Sequence, residues 1–205
     1  MEISYRQEVY RKLIHFSSLW MPLLIYMTPK MFSSAVFLIL LLGNVMIEYA
    51  TYRHWPYVTA LYNRFFGKMM REKERIQGKF RISGSPYVLA GAFLSAFLFH
   101  REIAVIAMTS MLLADPAAAL VGRRFGRIHF KNGKSYEGTA AFFLTAYIVH
   151  LFFGIVFHLP GGFFAVALIS CAVAAMVELY EKTLKIDDNL SIPICIGLIL
   201  SLYFI

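Results

Sequence analysis

Seven long apolar runs, separated by connections that are alternately crowded with and nearly free of basic residues, leave this chain one way to fold. A helix that crosses the hydrocarbon of a bilayer needs about 20 apolar residues, within a range of roughly 17–25. The runs lie near 13–29, 31–50, 85–100, 103–121, 139–158, 162–180 and 189–205, the third and seventh being short. Of the 205 residues, 59% are hydrophobic and only 16% charged, too few charges for a separate soluble module. The expectation is an all-α polytopic membrane protein: one integral membrane catalytic domain over 1–205, with about seven transmembrane helices.

The basic residues orient it. Arg6, Arg11 and Lys12 precede the first run. Arg53, Arg64, Lys68, Arg71, Lys73, Arg75, Lys79 and Arg81 lie between the second and third. Arg123, Arg124, Arg127, Lys131 and Lys134 lie between the fourth and fifth, and Lys182 and Lys185 between the sixth and seventh. The alternate connections hold only Lys30 and Arg101. Cytoplasmic loops carry the Lys/Arg excess, so the N-terminus is expected inside and the C-terminus outside. The early charges also argue against a cleavable secretory signal. The net charge of +8 is assigned to loops facing anionic lipid rather than to nucleic acid. Cys171 and Cys195 fall in apolar runs and are expected to be free thiols.

Within 51–84, Val58, Leu61, Tyr62, Phe65, Phe66, Met69 and Met70 share one helical face, with Arg64, Lys68 and Arg71 opposite. This predicts a cytoplasmic amphipathic helix, lying flat among headgroups or packed on the bundle. Ser85 and Pro86 are expected to start the third span. Glu48, at the end of the second span, is a candidate partner for a loop cation, and His54, His100, His129, His150 and His158 are expected mostly at the interfaces.

Asp115 lies inside the fourth run, about 9 Å from its inner end at about 1.5 Å per residue. A carboxylate at that depth is costly and marks a functional site. Pro116 follows it and frees a backbone carbonyl one turn back. The next stretch, GRRFGRIHFKNGKSYEG (122–138), combines glycines with basic residues. Gly122, Gly126 and Gly138 would let backbone amides approach an anion, while Arg123, Arg124 and Lys134 add charge and Ser135 caps the fifth helix. Glu137 sits in this basic loop, Glu178 and Glu181 at the inner end of the sixth span, and Asp187, Asp188 and Asn189 at the start of the seventh. Several carboxylates facing a polyphosphate would repel it. A divalent cation resolves the conflict, and oxygen ligands favour Mg2+. Arg11 and His15, four apart near the inner surface, are secondary candidates for phosphate contact, as are Glu178 and Asp187 for the acidic cluster.

Three of these segments, DPAAALVGRRFG (115–126), KSYEG (134–138) and DDNLSIP (187–193), resemble in order and spacing the family of CTP-dependent lipid-alcohol kinases, which contains dolichol kinase, phytol kinase and the yeast-type diacylglycerol kinase. EVYRKLIH (8–15) and GSPYVLAG (84–91) are similar to its earlier segments. The resemblance implies transfer of the γ-phosphate of CTP to the hydroxyl of a membrane lipid alcohol at the cytoplasmic face. Diacylglycerol, phytol and dolichol-type polyprenols are the candidate acceptors, in a short, prokaryotic version of the fold set in the cell membrane. It implies catalytic roles for Asp115, Lys134, Glu137 and Asp188, with Asp115, Glu137 and Asp188 around Mg2+. Gly122, Arg123, Arg124, Gly126, Lys134, Ser135, Gly138 and Asn189 would hold the nucleotide. The family is distantly similar to phosphatidate cytidylyltransferases, which makes a CDP-lipid synthase the alternative, although the His-Gly-Gly element typical of those enzymes is absent. A transporter is the alternative from another class. Against it, Asp115 is the one acidic residue well inside a span, and no inverted repeat is evident.

Overall fold

The computed structural model describes residues 9, 12, 13, 15–66 and 82–203, with 62–66 described in the backbone alone. Arg11 and residues 67–81, with Lys68, Met69, Met70 and Arg71 of the expected amphipathic face, lie outside the described residues. The elements are α1 (Trp20–Met27), α2 (Lys30–Tyr52), α3 (Pro56–Phe66), α4 (Gly84–Leu98), α5 (Arg101–Phe125), α6 (Tyr136–Val156), α7 (Gly162–Leu179), α8 (Glu181–Leu184) and α9 (Asp188–Tyr203). Among the described residues no strand forms; His129 and Ser135 make an isolated bridge.

Four helices, α2, α5, α6 and α7, are long and apolar enough to cross a membrane, and α4 and α9 are shorter apolar helices. At about 1.5 Å per residue, α4 and α9 reach less far than the roughly 30 Å of hydrocarbon. The first expected span is interrupted: residues 15–17 are helical, Ser18 and Leu19 form a turn, and α1 then runs for only 8 residues. Among the described residues, four of the seven apolar runs thus form helices long enough to span, and the other runs form shorter pieces.

α5 is the central helix. Ile103 through Leu112 are all buried, as are Ala114, Asp115, Pro116 and Ala118. Small side chains allow this enclosure, because helices in lipid associate through van der Waals contact rather than hydrophobic exclusion. Gly138 of α6 packs so closely on α5 that a Cβ there would sit 2.9 Å from the Ala118 carbonyl oxygen. The outward faces of α2 and α6 carry Ile39, Met46, Ile148 and Ile155, all well exposed and suited to lipid. Tyr57 and Leu61 on α3 are exposed as well, which supports a helix at the headgroup level over one packed on the bundle.

Two local expectations, the cap of α4 and the place of His150, are corrected, and Glu48 gains a partner. The N-cap of α4 is Ser83, whose hydroxyl accepts from the Ser85 amide at 3.4 Å; Ser85 is already inside the helix. Glu48 accepts from the Ser83 amide at 3.1 Å and from its hydroxyl, so this carboxylate ties the end of α2 to the start of α4. His150 is fully buried rather than interfacial, with Nδ1 2.8 Å from the Ala146 carbonyl and 3.2 Å from the Ser110 hydroxyl. Cys171 and Cys195 are free thiols, as expected.

Candidate functional site

The polar side chains that the sequence scatters over four segments meet at one end of the bundle, where α5 and α7 end and α6 and α9 begin. Asp115 is buried in α5 and accepts from Lys12 Nζ at 2.6 Å, with His15 Nε2 3.7 Å from the same oxygen. Asp188, first residue of α9, lies within electrostatic range of Asp115, Glu181, Asp187 and Lys12. Lys134 bonds Glu178 Oε1 at 2.7 Å and the Glu178 carbonyl, and stands 3.4 Å from Glu181 Oε2. It also feels Asp188. One chain of charged groups therefore runs from Lys12 through the three acids Asp115, Asp188 and Glu181 to Lys134 and Glu178. Burial works against charge on Lys134, but Glu178 and Glu181 outweigh it and hold the ammonium above the ordinary lysine value.

Local chemistry sets these positions. Ser135 caps α6 by accepting from the Gly138 amide at 3.1 Å. The loop before it turns at Gly133, whose φ of +88° is open to glycine and strained for most other residues. Asn132 then donates to the Leu179 carbonyl at 2.5 Å, and Lys182 donates to the Asn132 carbonyl at 2.8 Å. These bonds fasten the loop onto the end of α7 and place Lys134 beside Glu178. On α9, Asp187 performs the capping by accepting from the Asn189 amide at 3.1 Å and from its side-chain amide at 2.7 Å. No hydrogen bond among the described residues holds the Asp188 carboxylate, and Asn189 Oδ1 is buried without a partner.

The glycines serve a different purpose from an open phosphate cradle. A Cβ on Gly122 would meet the Ser135 hydroxyl at 2.9 Å and Gly138 Cα at 3.4 Å, and one on Gly126 would meet Ser135 Cβ at 2.8 Å. The space over Gly122, Gly126 and Gly138 is thus filled by Ser135 and by the glycines themselves, where α5 and α6 close on each other. Glu137 is drawn into the same junction, accepting from the Arg127 amide at 2.9 Å, and is not gathered with Asp188. Arg123 and Arg124 are exposed on the last turn of α5, and Arg124 lies over the Phe125 ring.

Oxygens of Glu181, Asp187 and Asp188 all lie within 4.8 Å of one another. Three carboxylates beside the unpartnered Asn189 Oδ1 form an all-oxygen set, which fits a hard divalent cation such as Mg2+. One member of the site escaped sequence reasoning. Lys12 carries no mark of its own in the sequence, and its bond to Asp115 is visible only in the fold. Glu181 was read as the inner end of a span, and its place near Asp188 depends on the short α8 turn.

Comparison with known proteins follows the same lines. Over 188 residues, 90% of this chain and 88% of the relative, the chain is 32% identical to an uncharacterized protein of Rickettsia prowazekii. It is 28% identical to CTP-dependent diacylglycerol kinase 1 of Schizosaccharomyces pombe over 69% of this chain and 67% of that protein. It is 25% identical to the probable chloroplastic phytol kinase 2 of Glycine max over 73% of this chain, and there it spans 54% of the relative's length. No family model and no solved structure matches. The chain thus belongs with the uncharacterized Rickettsia protein, and its similarity to CTP-dependent diacylglycerol kinases and phytol kinases supports a place in the lipid kinase family.

Proposed function

We propose that this protein is a lipid kinase that transfers the γ-phosphoryl group of CTP to the hydroxyl of a membrane lipid alcohol, diacylglycerol or a phytol- or polyprenol-type alcohol, at the cytoplasmic surface. The observation that carries the reading is the meeting of Asp115, Asp188, Glu181 and Lys134 at one end of a lipid-embedded bundle. The names of the relatives supply the donor and the acceptor class.

The chemistry asks for positioning and charge neutralisation more than for covalent help. Glu181 and Asp188, with Asn189 Oδ1, would hold Mg2+, and Asp187, the cap of α9, borders the same place. That ion, when bound, offsets the charge of the β- and γ-phosphates. Lys134, oriented by Glu178, faces the same place and adds a cation, and Arg123 and Arg124 at the mouth attract the triphosphate. The lipid enters sideways between helices, leaving its hydroxyl at Asp115. As the lipid oxygen forms its bond to the γ-phosphorus, the bond from that phosphorus to the β-phosphate oxygen breaks and CDP leaves. The hydroxyl proton passes to the Asp115 carboxylate, whose burial suits it to a general base once Lys12 has released it. Glu137, Ser135 and the glycines 122, 126 and 138 keep α5 and α6 in register beneath the nucleotide.

The test is direct. Purified protein in lipid nanodiscs is incubated with γ-labelled CTP, Mg2+ and a panel of lipid alcohols. Label on lipid, lost in Asp115→Asn and Asp188→Asn, is the expected result. Labelled pyrophosphate would instead identify a CDP-lipid synthase, and substrate uptake without nucleotide turnover would identify a transporter.

A further inference from the structure

At the opposite end of the bundle lies a cavity that the kinase reading does not use. α2 begins there at Lys30, and α5 begins there at Arg101, while their far ends carry Glu48 and Asp115 toward the acidic cluster. The cavity, of about 110 Å3, is lined by Ile25, Lys30, Ser33, Ala96, Phe99 and Arg101. Lys30 and Arg101 are the two basic residues that the alternation of charge leaves on this side, and both border the same small space.

Two features make the space anion-seeking, and a third bounds it. Two cations flank it. Two long helices, of 23 and 25 residues, start beside it with no side-chain cap from Pro29 or His100, so the positive ends of two helix dipoles lie next to it. Its inner wall is apolar: Phe99 is buried against Gly197, whose Cβ position its ring fills, and Ala96 is 2% exposed. The buried Ser33 hydroxyl is turned to the Lys30 carbonyl at 3.1 Å, closing that side. One acid, Glu102, shares the first turn of α5 and leaves the pair of cations in excess.

Size and surroundings choose the anion. Pockets for drug-sized ligands or cofactors run to about 300–1,000 Å3, so this one has room for a single phosphate-sized group and not for a nucleotide. Around it, Met27, Met31, Phe32 and Leu98 are exposed at 71%, 70%, 55% and 53% of their surface, a greasy collar suited to acyl chains. We propose that this cavity binds the phosphodiester of an anionic glycerophospholipid, with Lys30 and Arg101 as its cationic jaws and the acyl chains lying on the collar.

Native mass spectrometry of the purified full chain, with phosphatidylglycerol, phosphatidylcholine or inorganic phosphate added, tests the proposal. Phosphatidylglycerol should be retained at least about fivefold better than phosphatidylcholine, and Lys30→Ala with Arg101→Ala should abolish the difference. Ala96→Leu, which keeps both charges but fills the cavity, should also abolish it. The exchange Lys30→Arg with Arg101→Lys should preserve it, which separates lost charge from lost fold. Undiminished selectivity in the double alanine variant overturns the site. Undiminished selectivity in Ala96→Leu reduces the cations to ordinary surface anchors, and complete displacement of lipid by inorganic phosphate removes the lipid as occupant.

Discussion

Lys12 Nζ and Asp115 Oδ2 stand 2.6 Å apart with side chains only 11% and 10% exposed, so a residue from the first helical segment neutralises the carboxylate buried in the central helix. Breaking a buried pair by removing one partner costs about 3–5 kcal/mol, because a charge is left uncompensated, whereas removing both costs less. Lys12→Met should therefore lower thermal stability in detergent more than the double variant Lys12→Met with Asp115→Asn. A double-mutant cycle followed by thermal unfolding measures this. Equal, additive losses would mean that the pair is not formed.

Lys134 joins the loop after α5 to the end of α7 through Glu178 and Glu181. Lys134→Met should release that loop as well as remove a cation from the site. Trypsin cleavage after Arg127 and Lys131 should accelerate several-fold relative to the parent protein, and phosphoryl transfer should fall by at least about a hundredfold, roughly 2.7 kcal/mol of barrier. Lys134→Arg should restore protection from trypsin better than it restores transfer, because its planar fork does not reproduce a compact ammonium. Protection unchanged in Lys134→Met would show that Asn132 and Lys182 alone hold the loop.

The membrane-spanning core was legible because apolar run length is a property of the sequence itself: α2, α5, α6 and α7 all lie within a few residues of the expected runs. The break at Ser18 and Leu19 was not read, although the polar pair Ser17 and Ser18 interrupts the apolar run there. The acids and the lysine of the site were legible as costly groups near one surface. Their partners were not. Lys12 is one of several basic residues near the N-terminus, and only packing shows that it reaches Asp115. What the glycines admit was not legible either: a small residue allows close approach by any group, and Ser135 packs on Gly122, Gly126 and Gly138.

The acidic triad separates a cap from two candidate ligands. Asp187 already binds both amides of Asn189, while Asp188 is held by no hydrogen bond among the described residues. Asp187→Ser keeps a capping oxygen, and it should retain stability and lose less than about tenfold in transfer. Asp188→Asn and Glu181→Gln should each raise the Mg2+ concentration needed for half-maximal rate by more than about tenfold. Titrating Mg2+ at saturating CTP reads this directly. The same half-maximal concentration in all three variants would remove the triad as the cation site.

Gly91 tests whether the first turn of α9 must sit where it does. A Cβ at Gly91 would come 2.5 Å from the Asn189 carbonyl oxygen and 3.2 Å from Pro193 Cγ, and backbone cannot yield as a flexible side-chain tip can. Gly91→Ala should push Asp188 and Asn189 away from the rest of the site, costing about 1–3 kcal/mol of stability as overpacking does. The KM for CTP should rise more than tenfold. Gly43, on α2, has nothing within 4 Å of its Cβ position. There the same substitution only removes backbone freedom from a helix and should stabilise by about 0.5–1 kcal/mol with no change in KM. The contrast between the two positions, measured by thermal unfolding and by CTP saturation, isolates the placement of α9 from the general effect of replacing glycine. If Gly91→Ala behaves like Gly43→Ala, the close approach of α4 to Asn189 does not govern the nucleotide site.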